Sequence, residues 1–211
     1  IISKTHGTIN NWGASTSIVN ITNSGTIRMR GISVSQSNVE ALCAICTAGS
    51  TGAVTITNSG TIETIGDDRP AIYTNDETTS TIINSGTISG HGTAKDILVA
   101  DDASGTATTT IKISGEGSFD NGIELNDTTV QLVLEPDIKR DTTVTIYNKD
   151  NLTIVNNLTG NDTYSITSEN LDSGEGDTTL GDGVLTILGE DLEIAQDNPK
   201  YRSENVLTKL R

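Results

Sequence analysis

Cys43 and Cys46 are the residues of this chain whose type and spacing most directly suggest chemistry. A single C-x-x-C pair supplies only half of a four-ligand zinc site, and His6 and His91 lie far apart in the sequence. A thioredoxin-like redox motif requires a βαβ context, which the surrounding residues do not offer. We therefore expect a disulfide that closes a short loop, as is typical of an extracytoplasmic protein, and neither a metal nor another cofactor.

Two local structures fit the segment around the cysteines. Ser37 and Glu40 match a capping box, which predicts a short helix. The likeness of residues 44–47 (A-I-C-T) to residues 71–74 (A-I-Y-T) predicts a strand instead. A fully extended chain would hold the two cysteines about 10 Å apart, which is beyond the reach of a disulfide. A bridge therefore requires a bend or a helical turn.

Other groups with catalytic or metal-binding potential are interpreted as turns and loops. Residues 171–174 (L-D-S-G) approach the G-D-S-G nucleophile block of serine proteases, but Leu171 replaces the first glycine. The acidic run 172–183 lacks the spacing of known calcium loops. The adjacent carboxylates 67–68 and 101–102 fall in loops, with few aromatic residues to stack sugars. We expect no enzyme.

The composition indicates which elements must position these residues. The chain of 211 residues contains 34 Thr and 25 Ile but only six aromatic residues. Threonine and isoleucine pack well on pleated strands, whereas the largest compact cores depend on aromatic side chains. An all-β chain with repeated, shallow layers is therefore predicted.

The charge is unevenly distributed. The chain has a net charge of −15, of which residues 1–60 contribute +2 and the remainder −17. Nucleic acid and anionic lipid are not expected as partners of so acidic a surface. No apolar run is long enough to span a bilayer, so no transmembrane segment is predicted.

An internal repeat organises the first 126 residues. Residues 21–27 and 56–62 both read I-T-N-S-G-T-I, and residues 82–88 read I-I-N-S-G-T-I. Residues 113–119 (I-S-G-E-G-S-F) are interpreted as a degenerate copy, and residues 7–9 (G-T-I) as an incomplete one. A fixed motif with variable spacing is typical of stacked coils that carry loop insertions.

Strand periodicity gives the motif a structural interpretation. Ile21, Asn23 and Ile27 share one parity and are expected to point inward, with Asn23 at a bend. Gly25 is expected to allow a positive φ there. Successive asparagines would form a hydrogen-bonded ladder, which offsets the cost of burying them. The structural repeat residues are Asn23, Gly25, Ile27, Asn58, Gly60, Ile62, Asn84, Gly86 and Ile88.

The predicted fold is an all-β, single-stranded right-handed parallel β-helix, or β-solenoid, with loop insertions. Residues 1–126 form the β-helix with the repeats. Residues 127–196 form either further coils or a C-terminal capping, autochaperone-like region, and residues 197–211 form a tail.

The repeated I-x-N-S-G-T-I, with its Thr-, Asn- and Gly-rich spacers and acidic balance, resembles the passenger domains of bacterial autotransporters (type V secretion). The resemblance covers residues 1–126 and is only compositional beyond them. It implies a passenger fragment that is exported through the periplasm and outer membrane and then secreted or displayed on the cell surface. The function it implies is an adhesin-like, virulence-associated binding module.

The expected partner of such a module is a host-cell surface or matrix component, or another copy of the chain. Two alternatives share the same fold. One is a polysaccharide-acting β-helix enzyme, which predicts carboxylates clustered on one solvent-facing sheet. The other is a toxin passenger that oligomerises.

Overall fold

The computed structural model describes residues 2–3, 8–12, 18–31, 42–48, 52–66, 68–75, 78–100, 107–126, 130–149, 152–160, 162–169 and 182–188. These residues form nineteen β-strands and no α-helix. The prediction of an all-β chain is therefore confirmed for the described part of the chain.

The strands are short and follow one another closely along the chain. The first ten are β1 (Ile2–Ser3), β2 (Ile9–Trp12), β3 (Val19–Asn23), β4 (Thr26–Arg30), β5 (Ile45–Ala48), β6 (Ala53–Asn58), β7 (Thr61–Ile65), β8 (Ile72–Asn75), β9 (Thr79–Asn84) and β10 (Thr87–Ser89). The remaining nine are β11 (Ile97–Ala100), β12 (Thr109–Ile113), β13 (Ser118–Phe119), β14 (Ile123–Leu125), β15 (Val130–Leu134), β16 (Thr143–Tyr147), β17 (Leu152–Asn156), β18 (Thr163–Glu169) and β19 (Asp182–Leu188).

The strands form three sheets, which the chain visits in turn. Sheet A has the order β1-β4-β7-β10-β13, sheet B β18-β19-β16-β14-β11-β8-β5-β2, and sheet C β17-β15-β12-β9-β6-β3. Among β1 to β15, two strands of the same sheet that are three places apart in the chain pair with each other, and every such pair is parallel. The cyclic order A, B, C explains this rule, because one circuit of the chain returns it to the same sheet.

The registers place copies of the repeat directly beside each other. Ile21 of β3 pairs with Ile56 of β6, which in turn pairs with Ile82 of β9. Alternate residues of β6 and β9 are buried, as a strand with one face on a core requires, and the equivalent Val19 and Ile21 of β3, at the end of the sheet, are partly buried. The predicted inward stacking of isoleucine is therefore confirmed in sheet C.

Sheet B carries the longest isoleucine stack, and it corrects one of the sequence predictions. Ile9 pairs with Ile45, which pairs with Ile72, so Ile9 belongs to the A-I-x-T series. The interpretation of residues 7–9 as an incomplete N-S-G-T-I copy is therefore wrong. Three letters, G-T-I, were too few to distinguish the two repeats. The stack continues through Ile97, Ile123 and Ile146.

The interpretation of residues 113–119 as a copy of the heptapeptide is only partly right. Ile113 pairs with Asn84 rather than with Ile82, whereas Ser118 pairs with Thr87. Two extra residues therefore lie in this corner, and Gly115 turns the chain there with a φ of 52°. The second half of the copy is correctly aligned, with Gly117 at the position of Gly86, since Ser118 pairs with Thr87 and donates its main-chain N–H to the Gly86 carbonyl.

The strands beyond residue 126 include parallel continuations of sheets B and C and a final antiparallel pair. β15 and β17 extend sheet C in parallel, and β16 extends sheet B in parallel. β19 then pairs antiparallel with β16, and β18 antiparallel with β19. The inner face of this antiparallel pair completes the core with Leu185 and Ile187, which are fully buried. The predicted tail, residues 197–211, lies outside the described residues.

Candidate functional site

The predicted asparagine ladder is present in the structure. Asn23 Nδ2 donates a hydrogen bond to Asn58 Oδ1 at 2.8 Å, and Asn58 Nδ2 donates to Asn84 Oδ1 at 2.9 Å. The second amide hydrogen reaches a main-chain carbonyl of the next circuit, that of Thr61 for Asn23 and that of Thr87 for Asn58. All three asparagines are buried, so these bonds supply the partners that burial requires.

The same side chains also fold the corner between sheet C and sheet A. In each copy, the asparagine Oδ1 accepts the N–H of the glycine two residues later, at 3.2 Å for Gly25, 3.3 Å for Gly60 and 3.2 Å for Gly86. This is the hydrogen bond of an Asx-turn, which bends the chain without a longer loop. One side chain therefore shapes its own corner and joins it to the next.

The reason for the corner glycines differs from the prediction. None of Gly25, Gly60 and Gly86 has a positive φ. A Cβ on Gly60 would instead lie 2.8 Å from the Gly25 nitrogen, and one on Gly86 would lie 2.8 Å from the Ser59 carbonyl carbon. The stacked corners approach too closely for any side chain, and only Gly25, at the end of the stack, has open space around a Cβ.

The final isoleucines of the motif form a second buried stack. Ile27 pairs with Ile62, and Ile62 with Ile88, all in sheet A. The three side chains are at most 4 % exposed. Phe119 follows in the same row, beside Ile88. The ladder ends at Asn84, because Ile113 occupies the asparagine position in the next circuit. The Asn84 amide still donates to a main-chain carbonyl of that circuit, that of Ser118.

The structure brings Cys43 and Cys46 together. Their sulfur atoms lie within disulfide distance and their Cα atoms are 5.6 Å apart. The chain bends at Cys43 and Ala44 before β5 begins, which satisfies the predicted need for a bend. The strand interpretation of Ile45 and Cys46 is confirmed, and the predicted capping box at residues 37–40 lies outside the described residues. Both cysteines are fully buried and pack with Tyr73.

A buried carboxylate that the sequence analysis did not single out lies at another corner. Asp96 lies directly before β11, at the position that Ala44 holds before β5 and Ala71 before β8. Its Oδ1 accepts the Gly90 N–H at 2.7 Å, and its Oδ2 accepts the N–H groups of Asn121 and Gly122 at 2.7 and 2.8 Å. Burial raises the pKa of Asp96 to about 6, although the three N–H donors act in the opposite direction.

The outer face of sheet C carries a row of polar side chains, one from each strand. The register places this row at equivalent positions of six neighbouring strands. Adjacent members lie about 4.8 Å apart, which is the spacing of paired strands. Its members are Asn20, Thr55, Thr81, Thr110, Gln131 and Thr153.

Sheet A carries a shorter row of the same kind. It consists of Thr26, Thr61, Thr87 and Ser118, which are paired strand to strand. Hydroxyl groups in this row contact each other, as Thr87 Oγ1 and Ser118 Oγ do at 3.2 Å. The two rows are the most regular polar surfaces among the described residues.

The ion pairs of the described acidic side chains lie at separate places, each with a single cation. Glu63 accepts from Arg28 Nε at 2.7 Å, Glu116 pairs with Lys139 at 2.8 Å, and Asp162 pairs with Arg140 at 2.8 Å. Among the described residues, no group of three or more His, Cys, Asp or Glu side chains is placed to hold a metal ion. The carboxylates 101–102 and the run 172–181 lie outside the described residues, as does Asp67.

The contact between Arg28 and Glu63 could have been inferred from the repeat itself. Arg28 and Glu63 each follow the last isoleucine of a motif copy, so an alignment of the copies places opposite charges side by side. Asn156 offered no such signal, because no N-S-G-T-I surrounds it. It nevertheless falls in the ladder row, and its Oδ1 accepts the N–H two residues later, that of Leu158, at 2.9 Å.

No helix in the described part of the chain is both long and apolar enough to cross a membrane. Comparisons of the chain with protein-family models, with curated proteins and with solved structures gave no significant match.

Proposed function

We propose that the chain winds as a single-stranded, right-handed parallel β-helix. The pairing of each strand with the third strand after it supports this winding, as does the repetition of the A, B, C order over successive circuits. The right-handed sense follows from the strong preference of parallel β-crossovers for that hand. The number of residues between a strand of sheet A and the next strand of sheet B varies most, from residues 31–44 to residues 120–122, which supports the proposal of insertions between these two sheets.

On this fold we propose a secreted or surface-displayed binding module of the autotransporter-passenger type. The observation that carries the proposal is the polar row on sheet C, six side chains aligned on the outer face. A row of six strands extends over about 24 Å, which is long enough to contact an extended ligand at several points. Its hydroxyl and amide groups suit a glycan or a polypeptide of a host-cell surface or matrix, or a second copy of the chain.

Binding of the purified chain to cultured epithelial cells and to a reconstituted basement-membrane matrix tests this proposal. The key variant changes Thr55, Thr81 and Thr110 to Glu, which removes three hydroxyl groups from the row on sheet C. The matched control changes Thr26, Thr61 and Thr87 to Glu, which adds the same charge to sheet A.

We expect saturable binding of the unmodified chain, a loss of at least tenfold in affinity for the sheet C variant, and little change for the sheet A variant. Circular dichroism of both variants monitors the fold. Sedimentation of the unmodified chain over a range of concentrations measures self-association. The proposal fails if the folded chain binds neither surface and remains monomeric, or if both variants lose binding equally.

A further inference from the structure

The strand β3 lies at one edge of sheet C, where it pairs with β6 on one side and has no neighbour among the described strands on the other. Val19 and Ile21 of β3 are partly buried, whereas their partners in β6, Val54 and Ile56, are 1 % exposed. Ile18, which directly precedes β3, is 74 % exposed. The apolar interior is therefore less well covered beside β3 than beside the next strand.

The corner that follows β3 is open on the same side. Asn58 Oδ1 accepts both the N–H of its own glycine and the side-chain amide of Asn23, but Asn23 Oδ1 accepts only the Gly25 N–H among the described contacts. The Ser24 N–H has no partner among these contacts either, whereas the equivalent Ser59 N–H donates to the Asn23 carbonyl at 2.8 Å. One acceptor and one donor of this corner therefore remain available to a further strand.

Gly25 has free space where the other corner glycines have a neighbour. A Cβ on Gly60 would point at the main chain of the preceding corner, 2.8 Å from the Gly25 nitrogen, and a Cβ on Gly86 would point in the same way at Ser59. A Cβ on Gly25 meets no atom within 4 Å. The space beside Gly25 is therefore the space that the main chain of a preceding corner fills in the interior of the stack.

We propose that this edge is an acceptor site for an extended polypeptide strand of another molecule that carries the sequence I-x-N-S-G. We call Val19, Ile21, Asn23, Ser24 and Gly25 the acceptor edge. An added strand gains affinity from main-chain hydrogen bonds to the edge of a sheet and specificity from its side chains. Unpaired strand edges with apolar neighbours are known sites of such pairing.

The interior circuits specify the chemistry of the occupant, because each one covers an equivalent edge. Its isoleucine packs on Ile21 as Ile21 packs on Ile56, and its asparagine amide donates to Asn23 Oδ1 as the Asn23 amide donates to Asn58. The carbonyl of its asparagine accepts the Ser24 N–H, as the Asn23 carbonyl accepts that of Ser59. The occupant therefore runs parallel to β3.

Two features limit the length and the charge of the occupant. β1 already pairs with β4 from Ile2 and Arg28 onward, so the occupant covers β3 and its corner and ends there. Residues 18–27 carry no charged side chain, so binding is expected to depend little on salt. The site lies on the edge of sheet C and not on its outward polar row, so it stands independently of the binding surface proposed above.

A peptide with the sequence of residues 53–60 (A-V-T-I-T-N-S-G), blocked at both ends, is the probe. NMR of the nitrogen-15-labelled whole chain follows its binding at millimolar concentrations. We expect saturable shifts of the amides of the acceptor edge and none in β17, at the opposite edge of sheet C. A spin label at the amino end of the peptide should broaden Val19 more than Gly25, and a label at the carboxyl end should do the reverse.

Substitutions on both molecules test the direction of stacking. Gly25→Ala in the chain should weaken binding at least tenfold, because its Cβ points at the incoming main chain and at nothing in the free chain. In the peptide, Asn58→Ala should weaken binding about fivefold through loss of one hydrogen bond. Gly60→Ala in the peptide, where the Cβ points away from the chain, should bind within about twofold of the original. Asn20→Ala, on the exposed outer face of β3, is the matched control in the chain and should leave binding unchanged.

Thermal unfolding shows whether the Gly25→Ala and Asn20→Ala chains retain the fold. Absence of peptide binding to the unmodified chain overturns the proposal, as does equal binding to the folded Gly25→Ala chain. Broadening in the antiparallel sense, or shifts confined to β17, also overturns it. Binding of the Gly25→Ala chain to cells and matrix should equal that of the unmodified chain, which separates this site from the polar row of sheet C.

Discussion

Asn23 and Asn58 are 35 residues apart in the sequence, yet the side-chain amide of the first donates a 2.8 Å hydrogen bond to the side-chain carbonyl of the second. The bond exists because the chain makes one full circuit between the two residues. Each asparagine uses its oxygen for its own corner and its amide for the next, so Asn58, the interior member of the ladder, is bonded on both sides. This dual use makes the ladder sensitive to the loss of Asn58.

Removal of Asn58 is predicted to destabilise the fold more than removal of Asn23. Asn58→Ala leaves the Gly60 N–H without its partner, and it removes both the nearest acceptor of the Asn23 amide and the side-chain donor to Asn84. Unsatisfied buried groups cost about 1–3 kcal/mol each, so we expect a loss of roughly 3 kcal/mol for Asn58→Ala. Asn23 lies at the end of the ladder, where its Oδ1 accepts only the Gly25 N–H among the described contacts.

Denaturant unfolding of the two variants measures this difference. Asn20→Ala, at an exposed position of the same strand as Asn23, serves as the control and should change the free energy of unfolding by less than about 0.5 kcal/mol. Equal effects of Asn58→Ala and Asn20→Ala would contradict the assignment of the ladder.

The corner glycines are predicted to differ in their tolerance of a methyl group. Gly60→Ala places a Cβ against the Gly25 main chain and should cost about 1–3 kcal/mol, the range for overpacked sites. Gly25→Ala has open space and should cost less than about 1 kcal/mol. Thermal unfolding of both variants provides the comparison. A larger loss for Gly25→Ala than for Gly60→Ala would show that backbone conformation, rather than close stacking, selects glycine here.

Cys43 and Cys46 are predicted to form a disulfide in the folded protein. Alkylation in denaturant without reductant should then label neither cysteine, and alkylation after reduction should label both, as read by intact mass. The double variant Cys43→Ala/Cys46→Ala should lose about 2 kcal/mol, since the loop that the bond closes is very short. Labelling of both thiols before reduction is the outcome that rules out the bond.

The ion pair between Arg28 and Glu63 is predicted to add little stability. Arg28 is 37 % and Glu63 19 % exposed in their side chains, so solvent screens their attraction. A double-mutant cycle with Arg28→Gln and Glu63→Gln should give a coupling of less than about 1 kcal/mol that decreases with added salt. A coupling above about 2 kcal/mol at physiological salt would show that the pair contributes to the fold much as the buried ladder does.

The repeats in the sequence predicted the interior of the molecule well. Two identical heptapeptides and a third that differs at one position predicted the register of Asn23, Asn58 and Asn84, because stacking equal residues satisfies buried amides and packs isoleucine on isoleucine. The bend at the cysteines could be argued from the reach of a disulfide alone.

The prediction weakened wherever a repeat copy was short or altered. Ile113 took the asparagine position through a two-residue insertion that the letters alone did not reveal. Asp96 was hidden because its partners are main-chain N–H groups, which any residue type can supply. The glycines were predicted correctly for the wrong reason, since close approach between circuits depends on the stacking itself.

The central claim is that successive circuits stack in one register, and paired cysteines test it most directly. Thr55 and Thr81 face outward and are paired on neighbouring strands of sheet C, 26 residues apart in the sequence. Thr55→Cys/Thr81→Cys should form a disulfide on mild oxidation of the folded chain, because paired strands hold such residues within bonding reach. Thr55→Cys/Ile83→Cys, displaced by two residues, should not. Efficient bonding in the first pair alone is the predicted result, and bonding in the displaced pair without the first would contradict the stacked register.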